Sequence, residues 1–556
     1  MEYSGAEIVI QLLERQGIKQ VAGIPGGTNL PLYDALRESP IRHILARHEQ
    51  GAGFIAQGMA RSTGLPAVCF ATSGPGVTNL MTAMADAHLD SVPVVAITGQ
   101  TPLSLMGTDA FQEVDTFGLS LSVTKHNFLV RSVEELVEVI PEAFRIALSG
   151  RPGPVWVDIP KDIQTATLDI EAFPSPGERI PAAFPDAALV DVAAEMIGKA
   201  QRPVFYAGGG VVNSGAGEQV KALCEKAGIP VVTTLMGLGA IAADSPLSLG
   251  MLGMHGSRST NLILDQADLL IAAGVRFDDR ATGRLAAFCP HARIIHMDID
   301  GAEIDKLRPS DCSITGDAGE ILSLLIPKVE PRARRTWEED VIAMKAKHPT
   351  PQSELDDARP AALIRRVGQM ASGDAFVTTD VGQHQMWVAQ YYPHQRAGKL
   401  LTSGGLGTMG FGLPAAIGAS LANPGTPVLC FSGDGSIMMN IQELATLAEQ
   451  NLNVKIIVLN NGALGLVRQQ QELFYGARYC ASQYDRNPDL VMIAKGFGIA
   501  GSRFSLSTCT DEALQAFLQA DGPGLLDITT PQEANVYPMV PPGAANTSMI
   551  EGDSHA

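Results

Sequence analysis

The stretch of residues 428–461 constrains the fold of this chain more than any other part of the sequence. A short apolar run at residues 428–431 ends in the turn Gly433-Asp434-Gly435, and a helical pattern with apolar residues at 437, 441, 444 and 448 follows. A second apolar run at residues 454–459 ends in Asn460 and Asn461. This order predicts two parallel strands joined by a helix, with the carboxyl ends of both strands at one edge of a sheet.

Asp434 and Asn461 are expected to lie side by side at that edge. A carboxylate and an amide oxygen are hard ligands that suit Mg²⁺, which keeps coordination positions open for a diphosphate. Gly433 and Gly435 let the backbone approach such an anion, and the start of the helix adds N–H groups and a favourable dipole. The alternative is an ordinary strand–helix–strand unit with turn glycines and an aspartate helix cap. The occurrence of Gly-Asp-Gly after the first strand together with Asn-Asn after the second favours a site for a metal ion and a diphosphate over this alternative.

The stretch resembles the cofactor motif of the thiamine diphosphate-dependent enzymes. The resemblance implies that Asp434, Asn461 and the backbone carbonyl of Ala463 bind Mg²⁺, which anchors the diphosphate of the cofactor. It further implies direct contacts with thiamine diphosphate from Gln383, His384, Gly407, Met409, Gly435 and Ser436. Met409 would be the bulky apolar residue that supports the cofactor in a bent shape.

The composition indicates a large, well-buried protein. Of the 556 residues 46% are hydrophobic and 18% are charged, and at roughly 150 residues per domain three or four domains are expected. A formal net charge of −19 disfavours nucleic acid and anionic membranes as partners, so an anionic substrate would need local lysine or arginine residues. The seven cysteines form no Cys-x-x-Cys pair, the first residues do not resemble a signal peptide, and no apolar run approaches ~18 residues. These features predict a cytoplasmic protein.

Short buried runs alternate with amphipathic patterns in three blocks of the chain. We therefore predict an α/β protein with three doubly wound parallel-sheet domains at residues 1–170, 188–325 and 361–530, followed by a Pro- and Gly-rich tail at residues 531–556. The resemblance assigns the pyrimidine end of thiamine diphosphate to the first block, the diphosphate and Mg²⁺ to the third, and a covering role to the tail. It also predicts a covering loop at residues 464–467.

An acidic residue of the first block is placed to activate the cofactor. Glu49 lies in the segment RHEQG at residues 47–51, so it is either a helix N-terminal charge or a carboxyl inserted into a site. The segment resembles the His-Glu-Gln-Gly motif of thiamine enzymes, in which Glu49 would hydrogen-bond N1′ of the pyrimidine. The 4′-amino group could then take the proton of the thiazolium C2. The resemblance places seven further residues of this block around the cofactor and the substrate: Gly27, Thr72, Pro75, Asn79, Phe111, Gln112 and Lys161.

Glycines and charged residues that follow predicted strands of the middle block indicate a binding site for a second cofactor, a nucleotide. Three glycines at residues 208–210 follow a predicted strand, although a lone glycine turn is a weak dinucleotide signal. Together with later strand ends, including Arg-Phe-Asp-Asp-Arg at residues 276–280, they resemble the FAD-binding domain of the acetohydroxyacid synthase family, in which FAD has no net redox role. The resemblance implies FAD contacts from Arg151, Gly208, Gly209, Gly210, Asn213, Thr234, Leu235, Met254, His255, Gly274, Arg276, Asp278 and Asp298.

The resemblance to acetohydroxyacid synthases, also called acetolactate synthases, extends over all three blocks and the tail. It implies a large catalytic subunit that decarboxylates pyruvate and condenses the remaining two-carbon unit with a second 2-oxoacid. Pyruvate would give 2-acetolactate and 2-oxobutanoate would give 2-aceto-2-hydroxybutanoate, in valine and isoleucine biosynthesis. Lys161 and Arg280 would supply positive charge for the carboxylates.

The resemblance also implies partner subunits, and this chain differs from many members of the family at one residue of the substrate pocket. Members of the family form dimers or tetramers with the active site between subunits, and a small regulatory subunit is a separate chain. Many members have Trp where this chain has Gln470, and that Trp favours 2-oxobutanoate as second substrate. Gln470 therefore suggests a form of the enzyme that favours pyruvate.

Other functions on related scaffolds are the alternatives. A pyruvate oxidase would use FAD as an oxidant on the same three domains. A catabolic, flavin-free acetolactate synthase is disfavoured by the segment at residues 276–280, and a glyoxylate carboligase is disfavoured by Glu49. A non-catalytic interaction protein accounts for the fewest of these motifs.

Overall fold

The computed structural model describes residues 1–349 and 359–552 of the chain. Within these residues lie three six-stranded sheets, each with all of its strand pairs parallel, and one two-stranded antiparallel sheet. Helices flank the three large sheets, so the predicted α/β architecture of three parallel-sheet domains is confirmed.

The first large sheet has the strand order β3-β2-β4-β5-β7-β6. Its strands are β2 (Gln20–Gly23), β3 (Arg42–Leu45), β4 (Ala67–Ala71), β5 (Val94–Gln100), β6 (His126–Leu129) and β7 (Val155–Pro160), and β1 (Glu2–Ser4) pairs separately with β8 (Thr167–Asp169). The helices are α1 (Gly5–Arg15), α2 (Leu30–Arg37), α3 (Glu49–Thr63), α4 (Pro75–Leu89), α5 (Thr116–Ser120), α6 (Glu135–Leu148) and α7 (Lys161–Thr165). Strands β4 and β5 are buried along their whole length, as continuous apolar runs in a parallel sheet require.

The second sheet has the strand order β11-β10-β9-β12-β13-β14. Its strands are β9 (Pro203–Ala207), β10 (Val231–Thr233), β11 (Ser248–Met251), β12 (Leu269–Ala273), β13 (Arg293–Asp298) and β14 (Cys312–Thr315). The helices are α8 (Ala187–Lys199), α9 (Gly209–Asn213), α10 (Gly217–Ala227), α11 (Arg258–Asp265), α12 (Asp279–Thr282), α13 (Ala318–Leu325) and α14 (Arg335–Lys347). The carboxyl ends of β9, β12 and β13 bring the glycine-rich and charged segments of this domain to one edge.

The third sheet has the strand order β16-β15-β17-β18-β20-β19. Its strands are β15 (Phe376–Thr379), β16 (Leu400–Leu401), β17 (Val428–Gly433), β18 (Val454–Asn460), β19 (Ala500–Ser505) and β20 (Gly524–Thr529). The helices are α15 (Pro360–Met370), α16 (Gln383–Tyr391), α17 (Gly412–Ala422), α18 (Asp434–Ile437), α19 (Glu443–Glu449), α20 (Gly465–Phe474), α21 (Leu490–Gly496) and α22 (Asp511–Gln519). In the part of the chain that the structure describes, no helix combines the length and apolarity of a membrane span.

Helices α3 and α17 join the first and third domains through small residues. A Cβ atom on Gly58 would lie 2.1 Å from the carbonyl oxygen of Ala415, and one on Gly418 would lie 2.0 Å from that of Ile55. The two helices therefore touch along their backbones, which only glycine permits at these positions. One continuous apolar core, including Phe54 and Phe411 in edge-to-face contact, extends across both domains.

Two local predictions differ from the structure. The helix predicted at residues 437–448 is divided into α18 and α19, and between them the side chain of Asn440 donates to the carbonyl oxygen of Gly410 at 2.8 Å. The segment 464–467, predicted as a covering loop, forms the beginning of helix α20.

Candidate active site

The first part of the candidate site is the edge where β17 and β18 end. These strands pair in parallel with Gly433 opposite Leu459, so the next residues, Asp434 and Asn460, are neighbours, and the predicted Asn461 follows one residue later. Asn487 bridges them, because its Nδ2 donates to Oδ2 of Asp434 at 2.6 Å and to Oδ1 of Asn460 at 2.9 Å. Sequence reasoning missed Asn487, whose only signal is the turn-forming pair with Pro488.

The oxygen atoms at this edge suit a hard cation. Asn461 donates from Nδ2 to Oε1 of Gln383 at 3.0 Å, and its Oδ1 accepts from the backbone N–H of Ala463 at 3.0 Å. Burial raises the pKa of Asp434 to about 6, and a cation would stabilise its charged form. No group of three or more His, Cys, Asp or Glu side chains within residues 1–349 and 359–552 could hold a metal ion. A cation here would therefore use one carboxylate, amide and carbonyl oxygens, and oxygens of a bound ligand, a combination that fits Mg²⁺.

A buried histidine whose Nε2 atom has no hydrogen-bond partner among the described residues lies beside the same edge. Burial lowers the pKa of His384 to about 3, so the imidazole is neutral, and its Nε2 has no partner among the described residues. A Cβ atom on Gly433 would lie 3.0 Å from Nδ1 of His384, and one on Gly435 would lie 2.4 Å from the hydroxyl of Tyr484. The two glycines thus leave room for these rings, and Nε2 of His384 can serve an anionic ligand. Ser436 is also buried, and its hydroxyl donates to the carbonyl of Val381.

The second part of the candidate site surrounds Glu49 in the first domain. Glu49 is the first residue of α3 and is buried, and Nδ2 of Asn79 donates to its Oε2 at 3.0 Å. Its Oε1 would lie 3.6 Å from a Cβ atom on Gly76, and the same Cβ atom would lie 2.9 Å from Thr72. The structure therefore brings Glu49, Thr72 and Asn79 together, while Pro75 is exposed at the start of α4.

The side chain of Glu443 connects the start of α3 to the third domain. Oε1 of Glu443 accepts from the backbone N–H groups of Arg47 and His48 at 2.9 and 3.1 Å, immediately before Glu49. The carboxylate of Glu49 itself contacts Asn79 of its own domain. Among the described residues it has no hydrogen bond to the edge that carries Asp434. The hydrogen bonds that join the two domains here therefore involve the backbone before Glu49 and not the Glu49 carboxylate.

The predicted substrate residues of the first domain lie on or near its surface. Phe111 is 87% exposed, and Gln112 packs so closely on Gly74 that a Cβ atom there would lie 2.9 Å from its Cα. Gly27 is exposed, and Lys161 begins α7 with no hydrogen bond or ion pair from its ammonium group to the described residues. Lys161 is therefore free to bind an anion.

The third part is a cavity of about 780 Å³ whose wall includes residues of all three domains. Twelve of the thirteen residues predicted to contact FAD line it: Arg151, Gly209, Gly210, Asn213, Thr234, Leu235, Met254, His255, Gly274, Arg276, Asp278 and Asp298. Arg280 and Gly407 also line it, as do Gln470 and, from the tail, Met539. The predicted substrate residue Arg280 thus faces this cavity, but Lys161 does not.

Gly208 is the exception, and packing accounts for it. A Cβ atom on Gly208 would lie 2.1 Å from the carbonyl oxygen of Gly274, and one on Gly210 would lie 2.5 Å from the Cα of Gly274. Gly208 and Gly210 therefore allow the segment after β9 to approach the segment after β12 closely. Gly209 is the least crowded of the three, since the nearest neighbour of a Cβ atom there would be the Cβ of Met236 at 3.2 Å.

The arginine residues that line the cavity differ in whether they already form ion pairs with neighbouring carboxylates. Nη1 of Arg151 lies 2.9 Å from Glu303 and 3.6 Å from Asp300, which is the ordinary ion-pair role for this arginine. Arg280 is 66% exposed and lies 3.8 Å from Asp279. Arg276 forms no hydrogen bond or ion pair with the described residues. Arg276 is therefore the cation most available to an anionic ligand.

Comparison with protein families matches the three domains to three parts of one type of enzyme. Residues 3–119 match the N-terminal TPP binding domain of thiamine pyrophosphate enzymes, residues 190–325 match their central domain, and residues 380–528 match their C-terminal TPP binding domain.

Comparison with curated proteins gives full-length relatives. The chain is 56% identical to the acetolactate synthase isozyme 1 large subunit of Escherichia coli (strain K12), over 99% of this chain and 98% of the relative. It is 49% identical to the isozyme 2 large subunit of the same organism, over 99% of both chains. It is 45% identical to the chloroplastic acetolactate synthase of Arabidopsis thaliana, over 99% of this chain and 85% of the relative.

Proposed function

The chain belongs to the acetolactate synthase large-subunit family of thiamine pyrophosphate enzymes, and on that premise we propose how its residues support the reaction. The chain would decarboxylate pyruvate and condense the two-carbon unit with a second pyruvate or with 2-oxobutanoate. The observation that carries this proposal is the edge formed by Asp434 and Asn461, with the unpartnered Nε2 of His384 beside it. Bound thiamine diphosphate supplies the electron sink for the loss of CO₂.

The residues at the edge fit a Mg²⁺ ion and a diphosphate. Asp434, Asn461 and the carbonyl of Ala463 would hold the ion, because they offer hard oxygen ligands and leave positions for phosphate oxygens. His384 would donate from Nε2 to the diphosphate. Gln383 is engaged with Asn461 and with the carbonyl of Ala534 at 2.7 Å, so it would orient the metal ligand in addition to any contact with the cofactor.

Glu49 would hold the proton that the pyrimidine ring needs. Asn79 occupies Oε2 of Glu49, which leaves Oε1 for a hydrogen bond to the cofactor. Because Glu49 and Asp434 make no contact within one chain, we infer that the pyrimidine side of one chain faces the diphosphate edge of a second copy. Exposed apolar residues near the Glu49 side, including Phe111, Phe117 and Leu121, support such an interface.

The large cavity would bind FAD. A volume of about 780 Å³ is in the range of roughly 300–1,000 Å³ that is usual for ligand sites, and Arg276 offers an unpaired cation for the FAD diphosphate. Lys161 and Arg280 would bind the substrate carboxylates. The printed name "large subunit" of the relatives supports a separate small subunit as a further partner of this chain.

The test of this proposal is the Glu49→Gln variant of the full chain. We expect acetolactate formation from pyruvate, with thiamine diphosphate, Mg²⁺ and FAD, to fall by roughly 10²- to 10⁴-fold, the usual contribution of a positioned proton-transfer group. Glu195→Gln is the matched control, since Glu195 pairs only with Lys199 on an exposed face of α8. A Glu49→Gln variant with full activity would contradict the role of Glu49. Reduction of FAD by pyruvate at the rate of turnover would instead indicate an oxidase.

A further inference from the structure

Two buried carboxylates hold the backbone on either side of Met409. The hydroxyl of Thr408 donates to Oδ2 of Asp86 at 2.9 Å, and the backbone N–H of Gly410 donates to Oδ1 of Asp380 at 2.6 Å. Asp86 lies in helix α4 of the first domain and Asp380 follows β15 of the third, and both are fully buried. The segment that carries Met409 is thus held from two domains at once.

The first-domain contacts extend along the whole loop of residues 403–408. Asp90, the residue that ends helix α4, accepts from the backbone N–H groups of Gly404 and Gly405 at 2.9 and 2.7 Å. The hydroxyl of Ser403 also donates to Asp86. Nη2 of Arg61 lies 3.1 Å from Asp86 and 2.8 Å from Asp90, so one cation balances both acids.

The contacts of Asp86 and Asp90 with the third domain are made to the loop of residues 403–408. Helices α3 and α17 already join the two domains by close backbone packing, so the domains do not require buried charges to stay together. Burial of a carboxylate is unfavourable unless hydrogen bonds and an opposite charge compensate it. Among residues 1–349 and 359–552, the groups that donate to the carboxylates of Asp86 and Asp90 belong to Arg61 and to residues 403–408.

Asp380 also connects the loop to the metal edge. Its Oδ2 accepts from the hydroxyl of Ser432 at 3.0 Å, and Ser432 lies two residues before Asp434 on β17. One carboxylate therefore contacts both the loop that carries Met409 and the strand that leads to Asp434. Asn440, which lies after Asp434 and donates to the carbonyl oxygen of Gly410, is a second link between the loop and this edge.

We propose that Asp86 and Asp380 are positioning residues that fix Met409 relative to the diphosphate edge, with Asp90 and Arg61 as their supports. This inference rests on the proposed function, because Met409 matters only if the chain binds thiamine diphosphate. Asp86 acts from the first domain through Thr408, and Asp380 acts from the third domain through Gly410. Neither acid touches the cofactor or the substrate in this role.

The test uses a matched pair of variants at Thr408. Thr408→Val keeps the shape of the side chain and removes the hydroxyl that donates to Asp86, whereas Thr408→Ser keeps the hydroxyl. We expect Thr408→Val to lower kcat and the exchange rate of the thiazolium C2 proton of bound thiamine diphosphate by about 10-fold, the effect of losing one hydrogen bond to a charged group. KM for pyruvate should change less than about threefold, because Met409 is assigned to the cofactor and not to the substrate. Thr408→Ser should restore the C2 exchange rate.

A second readout is independent of turnover. Amide hydrogen exchange of residues 402–410 in the full chain without cofactor should be faster in Thr408→Val and in Asp86→Asn than in the wild type. Asp268→Asn is the control, because Asp268 also accepts from two consecutive backbone N–H groups, those of Gln201 and Arg202, but lies in the second domain. Unchanged exchange in that loop, or faster exchange with normal kcat and C2 exchange, would overturn the positioning role. A wild-type chain that fails to bind thiamine diphosphate would instead refute the proposed function.

Discussion

Replacement of Asn487 by alanine tests how the metal edge is organised. Asn487 donates to one oxygen of Asp434 and to Asn460, so it fixes the carboxylate and leaves Oδ1 of Asp434 for a cation. Asn487→Ala removes both hydrogen bonds, and residues that orient a metal ligand typically change metal affinity by about 10- to 100-fold when they are lost. That range corresponds to about 1.4–2.8 kcal/mol of binding free energy.

The measurement is calorimetric titration of the full chain with thiamine diphosphate at several Mg²⁺ concentrations. We expect the Mg²⁺ concentration that supports half-maximal cofactor binding to rise by about 10- to 100-fold in Asn487→Ala. Asn423→Ala is the matched control, since Asn423 also donates to two oxygens, those of Ser62 and Ala419, at a helix end remote from the edge. Equal binding by Asn487→Ala would contradict an orienting role for Asn487, and tighter binding would indicate that Asn487 competes with the cation for Asp434.

Two further predictions concern substrate choice and pH. Gln470→Trp should raise the preference for 2-oxobutanoate over pyruvate by about fourfold. An aromatic side chain on the cavity wall can bury the extra methylene of 2-oxobutanoate, which is worth ~0.8 kcal/mol of binding free energy. An unchanged product ratio when the two 2-oxoacids compete would contradict this prediction. Burial raises the pKa of Asp158 from its ordinary 3.8 to about 7. Between these pH values the folded chain keeps a proton on Asp158 that the unfolded chain has released. The contribution of Asp158 to the free energy of unfolding therefore falls as the pH rises from 3.8 to 7. Asp158→Asn should flatten this part of the profile of melting temperature against pH, and a variant with the wild-type slope would contradict the assignment.

Much of the fold could be predicted because its strands are short, buried apolar runs. In β4, β5, β17 and β18 nearly every residue is buried, which leaves a clear signal in the sequence. The same signal predicted that β17 and β18 end at one edge, because two parallel strands are joined there by a helix, although the neighbour of Asp434 in the register is Asn460 and not the predicted Asn461. The domain boundaries and the roles of the site residues remain predictions.

The contacts that organise the site could not be predicted from the local pattern. Asn487 is recognised only when its side chain is seen to donate to Asp434, and the apolar pattern gave no signal of the break at residues 438–442 that separates α18 from α19. The glycine at position 208 illustrates the same limit, since its close neighbour is another part of the chain and not a ligand.

The class of fold and the family could be read from the sequence, because periodicity, turn glycines and short motifs are local properties of the chain. The pairing of polar groups became visible in the packed domains alone. Asp86 meets Thr408, Asp380 meets both Gly410 and Ser432, and Glu49 lies apart from Asp434 within one chain. The physical reason is that a buried carboxylate must find its donors wherever the packed domains place them, at any separation along the sequence.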